Sequence, residues 1–160
     1  MYEPITVTGM TEVRIVEDCA ASAETAFAFV NDYRNLPKFW YGIESFTPVT
    51  EQTDGVGAKF DGKMKLGPAS LTSRIEVIGW EAGRLIATRS IKGFEIVSTF
   101  RFLPKSPDLS TVDATIDYSV PGGIAGKMLG KTIEPFVKIA VKHTTDSLIR
   151  EIAKAHSENS

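Results

Sequence analysis

The chain has 160 residues, with 18 Lys and Arg against 20 Asp and Glu and a formal charge of -2, so it offers no basic footprint for nucleic acid and no polybasic patch for a membrane surface. That length suits one domain able to bury roughly 70% of the surface its unfolded form exposes. Cys19 stands alone, which excludes an intrachain disulfide or a cysteine-rich zinc site, and no stretch is long and apolar enough to span a bilayer or serve as a signal peptide; a cytoplasmic protein without stable membrane insertion is expected.

Residues 1–10 read as a flexible leader, 11–155 as a single domain and 156–160 as a flexible tail. In EVRIVE, Glu12–Glu17, apolar Val13 and Ile15 alternate with charge, the pattern of a strand. Ser22 is placed to cap a helix through Ala26, Phe27, Val30 and Tyr33, which Leu36-Pro37 ends; KFWYGI then makes a short helical turn carrying Trp40. In AKFDGKMKL, Ala58, Phe60, Gly62, Met64 and Leu66 fall on one side and Lys59, Asp61, Lys63 and Lys65 on the other, so one face is dry and one wet.

Strand-like runs follow at 71–80, 84–91, 94–103 and 112–120, separated by short breaks that favour antiparallel neighbours. Thr132–Ala155 brings Ile133, Phe136, Val137, Ala140, Thr144, Leu148 and Ala155 to one side of a helix. One long helix therefore covers the dry face of a curved sheet, an α+β arrangement.

Three familiar motifs fail. Gly130-Lys131-Thr132 resembles the end of a phosphate-binding loop, but Ala125 stands where its first glycine belongs, and no strand follows the helix. GVGAKF has Phe60 at the third glycine position of a dinucleotide fingerprint and reads as a hairpin turn. The only histidines are His143 and His156, so no metal site is expected, nor any cofactor.

Alternation also selects polar residues that share an apolar face. Arg89 accompanies Leu85, Ala87 and Ile91; Ser73 accompanies Leu71 and Ile75; Ser98 accompanies Ile96 and Phe100; Tyr118 accompanies Ile116 and Val120. His143 lies on the flank of the long helix's apolar face. For Arg89 and Tyr118, ligand contact and a structural role are equally open; for His143, structure is the simpler account. One helix cannot fill the concavity of a bent sheet of about six or seven strands, so space for a guest remains, lined by Trp40, Phe60, Met64, Phe100, Met128 and Phe136 as well.

The segments CAASAETAFAFVNDYRNLPKFW and YSVPGGIAGKMLGKTIEPFVKIAVKHTTDSLIREI, with the strand meander between them, are similar to the helix-grip fold of START-related and birch-pollen-allergen-like proteins. Within this SRPBCC superfamily the chain most resembles the polyketide cyclase/dehydrase group, over residues 11–155. The resemblance implies a curved antiparallel β-sheet wrapped around a long C-terminal α-helix, with an internal cavity for an apolar or aromatic small molecule. It transfers no set of catalytic residues. The leading expectation is binding or transport of a hydrophobic ligand such as a lipid, isoprenoid or aromatic polyketide-like compound. The alternative is a cofactor-free cyclase or dehydratase in which Arg89 or Tyr118 stabilises an enolate and His143 moves the proton. A stress or partner-binding protein with a vestigial cavity is a third reading. Between the strand ending at Val120 and the helix, Gly122, Gly123, Gly126 and Gly130 suggest a flap whose Ile124, Met128 and Leu129 close the cavity mouth.

Overall fold

The computed structural model describes residues 10–119 and 123–159, and of 123–134 the backbone alone. Strand β1 spans Thr11–Cys19 and helix α1 spans Ala23–Asn31; a single 3-10 turn, Tyr33–Asn35, leads to the short helix α2, Leu36–Phe39. Strands β2 (Ile43–Pro48), β3 (Lys59–Leu66), β4 (Ala69–Glu81), β5 (Leu85–Gly93), β6 (Glu95–Ser106) and β7 (Leu109–Ser119) follow, and helix α3 closes the order with Gly123–Glu158. The seven strands form one curled antiparallel sheet in the order β1-β7-β6-β5-β4-β3-β2, gripping α3 as a helix-grip fold.

Local chemistry explains the first elements. The Ser22 hydroxyl caps α1 by accepting from the Thr25 amide at 3.1 Å. Ala23, Ala26, Phe27 and Val30 then recur on one buried stripe. Pro37 opens α2 instead of closing α1: it occupies the first turn, where its missing N–H leaves no helical bond unmade.

The helix expected from Thr132 starts nine residues earlier, at Gly123, and runs on past Ala155 to Glu158. Pro135, which would fall in the first turn of a helix beginning at Thr132, lies inside it. Glycine and proline disfavour a helix by roughly 1 and 3 kcal/mol each, a preference that the surrounding helical residues override here. The proposed flap is therefore backbone of α3 from Gly123 onward. Gly122, and the side chains of Ile124, Met128 and Leu129, lie outside what is described.

One end of the space between sheet and helices is solidly packed. The Phe27 ring meets Phe102 edge-on at 5.6 Å and Trp80 at 5.7 Å, while Leu148 and Ile152 of α3 close against the same cluster. The end of α3 is tied down from two sides: His156 Nε2 lies 2.8 Å from Asp108 Oδ1 in the β6–β7 hairpin, and the Ser22 amide reaches His156 Nδ1 at 3.5 Å.

Candidate functional site

At the other end the sheet bends away and two adjoining chambers remain. The larger is a cavity of about 120 Å³ inside a concavity of about 980 Å³ that includes its open mouth. Its wall is built by strand alternation. Phe60, Gly62 and Met64 of β3 face Leu71, Ser73 and Ile75 of β4 pairwise across the ladder; Thr88 of β5 stands opposite Ser98 of β6; Phe94, Ile96 and Phe100 complete the row. Val30 and Leu36 from the helices, Trp40 just after α2, and Phe46 from β2 form the opposite side. Asn31, held by a 2.9 Å bond that its Oδ1 accepts from Trp80 Nε1, lies with Tyr33, Thr53 and Asp54 where the wall passes into loop.

The smaller chamber, about 70 Å³, lies between α3 and the β1–β7 side. Ala140, Val141 and Thr144 of α3 face Ile15, Ile116 and Tyr118 across it, and Trp40, Met64, Phe94 and Ile96 border both chambers. The Tyr118 ring stacks on Phe94 at 6.2 Å.

The structure thus brings together Trp40, Phe60, Met64, Ser73, Ser98 and Phe100 around the larger chamber and adds Tyr118 at the smaller one. Three expected residues sit elsewhere. Arg89 is exposed on the outer face of the sheet, because β5 is buried on both faces at its start, where Leu85, Ile86 and Ala87 follow one another, and β-bulges in β4 offset its pairing with β5. Its neighbour Thr88, opposite inward-facing Ser98, takes the cavity position. Phe136 lies over Gly67 in the β3–β4 turn: Gly67 has φ +56°, and a Cβ there would run into the Phe136 ring. His143 is exposed and stacks on the Tyr41 ring at 5.1 Å, one ring outside the smaller chamber. The Met128 side chain is outside the described set.

Sequence reasoning missed Thr88, Ile86, Ile43 and Phe46. For Thr88 a signal existed: once Ser98 is placed inward and the hairpin register fixed, its directly opposite neighbour must face the same way.

The polar side chains of the strand wall are three hydroxyls. Ser73 Oγ donates to the Phe94 carbonyl at 2.7 Å, and Thr88 Oγ1 and Ser98 Oγ lie 2.6 Å apart. The carboxylate in the lining is that of Asp54, on an exposed loop. Charges gather on the sheet's outer face, where Arg74 hydrogen-bonds its cross-strand partner Asp61 at 2.8 Å and holds that carboxyl below the usual carboxylate range. Of the groups the sequence offered for enolate stabilisation and proton transfer, Tyr118 borders the smaller chamber, whereas Arg89 and His143 are exposed and line neither chamber. Among the described residues no group of three or more His, Cys, Asp or Glu is placed to hold a metal, and no helix is long and apolar enough to cross a membrane.

A family model described as "Polyketide cyclase / dehydrase and lipid transport" matches residues 10–153. No curated protein sequence matches the chain. Among solved structures, a START superfamily protein from Mycobacterium smegmatis is 20% identical with a TM-score of 0.71, covering 91% of this chain and 99% of that one. A protein from Thermus thermophilus is 19% identical with a TM-score of 0.71, covering 94% and 99% respectively. The ZhuI aromatase/cyclase from a Streptomyces species is 13% identical with a TM-score of 0.72, covering 89% and 93%. At these identities the likeness shows a shared fold.

Proposed function

This chain belongs to the polyketide cyclase / dehydrase and lipid transport family, and we propose on that footing that it binds an apolar small molecule, ring-bearing or isoprenoid, in the larger chamber. The observation that carries this reading is the chamber wall: aromatic and aliphatic side chains on every side, with a few fixed hydroxyls among them. An apolar space of this order is the size that takes up a single aromatic ring, and the open concavity around it lets a longer guest extend toward the mouth. Binding is the activity these groups support directly, because apolar burial supplies the affinity and the hydroxyls orient the guest.

Titration with an apolar fluorescent probe tests the reading. Ser73 points into the chamber from the middle of β4, so Ser73→Phe puts a ring where the guest would lie. Probe affinity should fall at least about tenfold in this variant while its far-UV spectrum stays that of the parent. Undiminished probe binding by folded Ser73→Phe protein would place the guest elsewhere and overturn the proposal.

A further inference from the structure

We infer that the larger chamber selects an uncharged guest that brings a hydrogen-bond-accepting oxygen, a ketone or ether, and that the Thr88–Ser98 hydroxyl pair is the group that receives it. The inference rests on the binding role proposed above and specifies its ligand.

Three hydroxyls stand in the strand wall and each has one hydrogen to donate. Ser73 commits its hydrogen to the Phe94 carbonyl. Thr88 and Ser98 face each other at 2.6 Å, so one donates to the other and the remaining hydrogen of the pair has no acceptor among the described residues. Whichever of the two carries it, the hydrogen lies in the chamber wall: Ser98 is 5% exposed and Thr88 half-buried, and both line the chamber among Ile86, Ile96 and Phe100. An unspent donor in such a place favours an acceptor brought by the guest, and the existing Thr88–Ser98 bond polarises it further.

Charge narrows the class. Among the described residues no lysine, arginine or histidine lines the chamber, so a carboxylate or phosphate drawn to the hydroxyl pair would lose its water without gaining a counter-ion there. A neutral oxygen loses far less on entry. An acid therefore remains outside or keeps its charged end at the mouth.

Three matched probes separate the alternatives: 2-acetylnaphthalene, its hydrocarbon isostere 2-isopropenylnaphthalene, and ionised 2-naphthoate at pH 8. The quantity read is the ratio of ketone to hydrocarbon affinity, in the parent protein, in Thr88→Val, in Ser98→Ala and in the double variant. Each single variant still holds one hydroxyl with a hydrogen to give, so it should retain most of the ratio. The double variant holds none, and its ratio should drop about tenfold. 2-Naphthoate should bind the parent protein at least about tenfold more weakly than the ketone. In the parent protein, the carbonyl stretch of bound 2-acetylnaphthalene should lie below its frequency in alkane, a reading that needs no variant. A ratio unchanged in the folded double variant, an unshifted carbonyl, or naphthoate binding as tightly as the ketone would overturn the inference while leaving apolar binding intact. If none of the three probes binds the parent protein, the binding role itself falls and this inference with it.

Discussion

The two ends of the space between sheet and α3 differ mainly in what one helix presents to them. Toward its C-terminus α3 offers Leu148 and Ile152, both essentially without solvent exposure, and α1 backs them with Phe27, so the sheet there is filled. One to two turns earlier the same helix offers the smaller Ala140, Val141 and Thr144; the short α2 and the residues after it, where the Tyr41 amide donates to Thr144 Oγ1 at 3.0 Å, pack beside them without filling the space, and a chamber remains. Side-chain size along one helical stripe, together with the position of α1, thus decides where a continuous sheet is solid and where it is hollow. The filled end supplies the stability that lets the other end remain open.

The sharpest way to break this comparison is to make the same truncation at both ends. Ile152→Ala removes a side chain packed on all sides and should cost about 4 kcal/mol of unfolding free energy, near the upper part of the range for such changes. Ile75→Ala removes one that borders the chamber and should cost about 2 kcal/mol, because part of its surroundings is already empty. Intrinsic propensity works against the expected difference, since alanine favours the helix and disfavours the strand. Equal losses in denaturant titrations would mean that the chamber end is packed as tightly as the other.

A smaller effect is expected at the turn where α3 meets the hollow end. Gly67 has φ +56°, a conformation that costs a residue with a Cβ roughly 1 kcal/mol, and the Phe136 ring fills the space the Cβ would need. Gly67→Ala should destabilise the protein by about 1–2 kcal/mol. In a Phe136→Ala background the added cost should shrink to the backbone component alone, a coupling that a double-mutant cycle reads directly. Additive losses would show that Phe136 does not anchor the helix there.

How much of this was legible in the sequence follows from which strands have one wet face. In β3 every second residue is charged, so the inward set Phe60, Gly62, Met64 and Leu66 is legible without ambiguity, as is Ser73 in β4; in β6 apolar Val97 interrupts the alternation, yet Ser98 still falls with Ile96 and Phe100. In β5, Leu85-Ile86-Ala87 is buried throughout and alternation carries no direction, so that run does not determine which way Arg89 points, and its side chain is exposed. The helix-grip architecture survived such a slip because it depends on the order of elements, whereas a chamber wall depends on the parity of each strand. The start of α3 was hidden by four glycines and a proline that locally argue for a turn. His156 reads as tail in the sequence because its partners, Ser22 and Asp108, are far away along the chain.

Cys19 gives the gentlest test of whether the filled end is sealed. It belongs to the packed cluster with no solvent exposure, and burial, reinforced by the nearby charges of Glu17 and Asp18, pushes its thiol from the ordinary value of 9.0 up to about 11. The folded protein therefore holds the proton where the unfolded chain releases it. The associated stability is fully present below pH 9 and declines as pH rises from 9.0 through about 11, a loss that Cys19→Ala should remove from the alkaline side of a stability profile. At pH 8 the folded state carries about a hundredfold less thiolate than an unperturbed cysteine, and its reaction with an aromatic disulfide reagent should be slower by at least that factor than in denaturant. Two added observations make this a test of packing. Ile152→Ala, which opens the same cluster, should accelerate the reaction. Ile75→Ala, which enlarges the hollow end, should leave it nearly unchanged. If both variants accelerate it alike, water reaches Cys19 from the chambers, and the division of the molecule into a solid end and a hollow end does not hold.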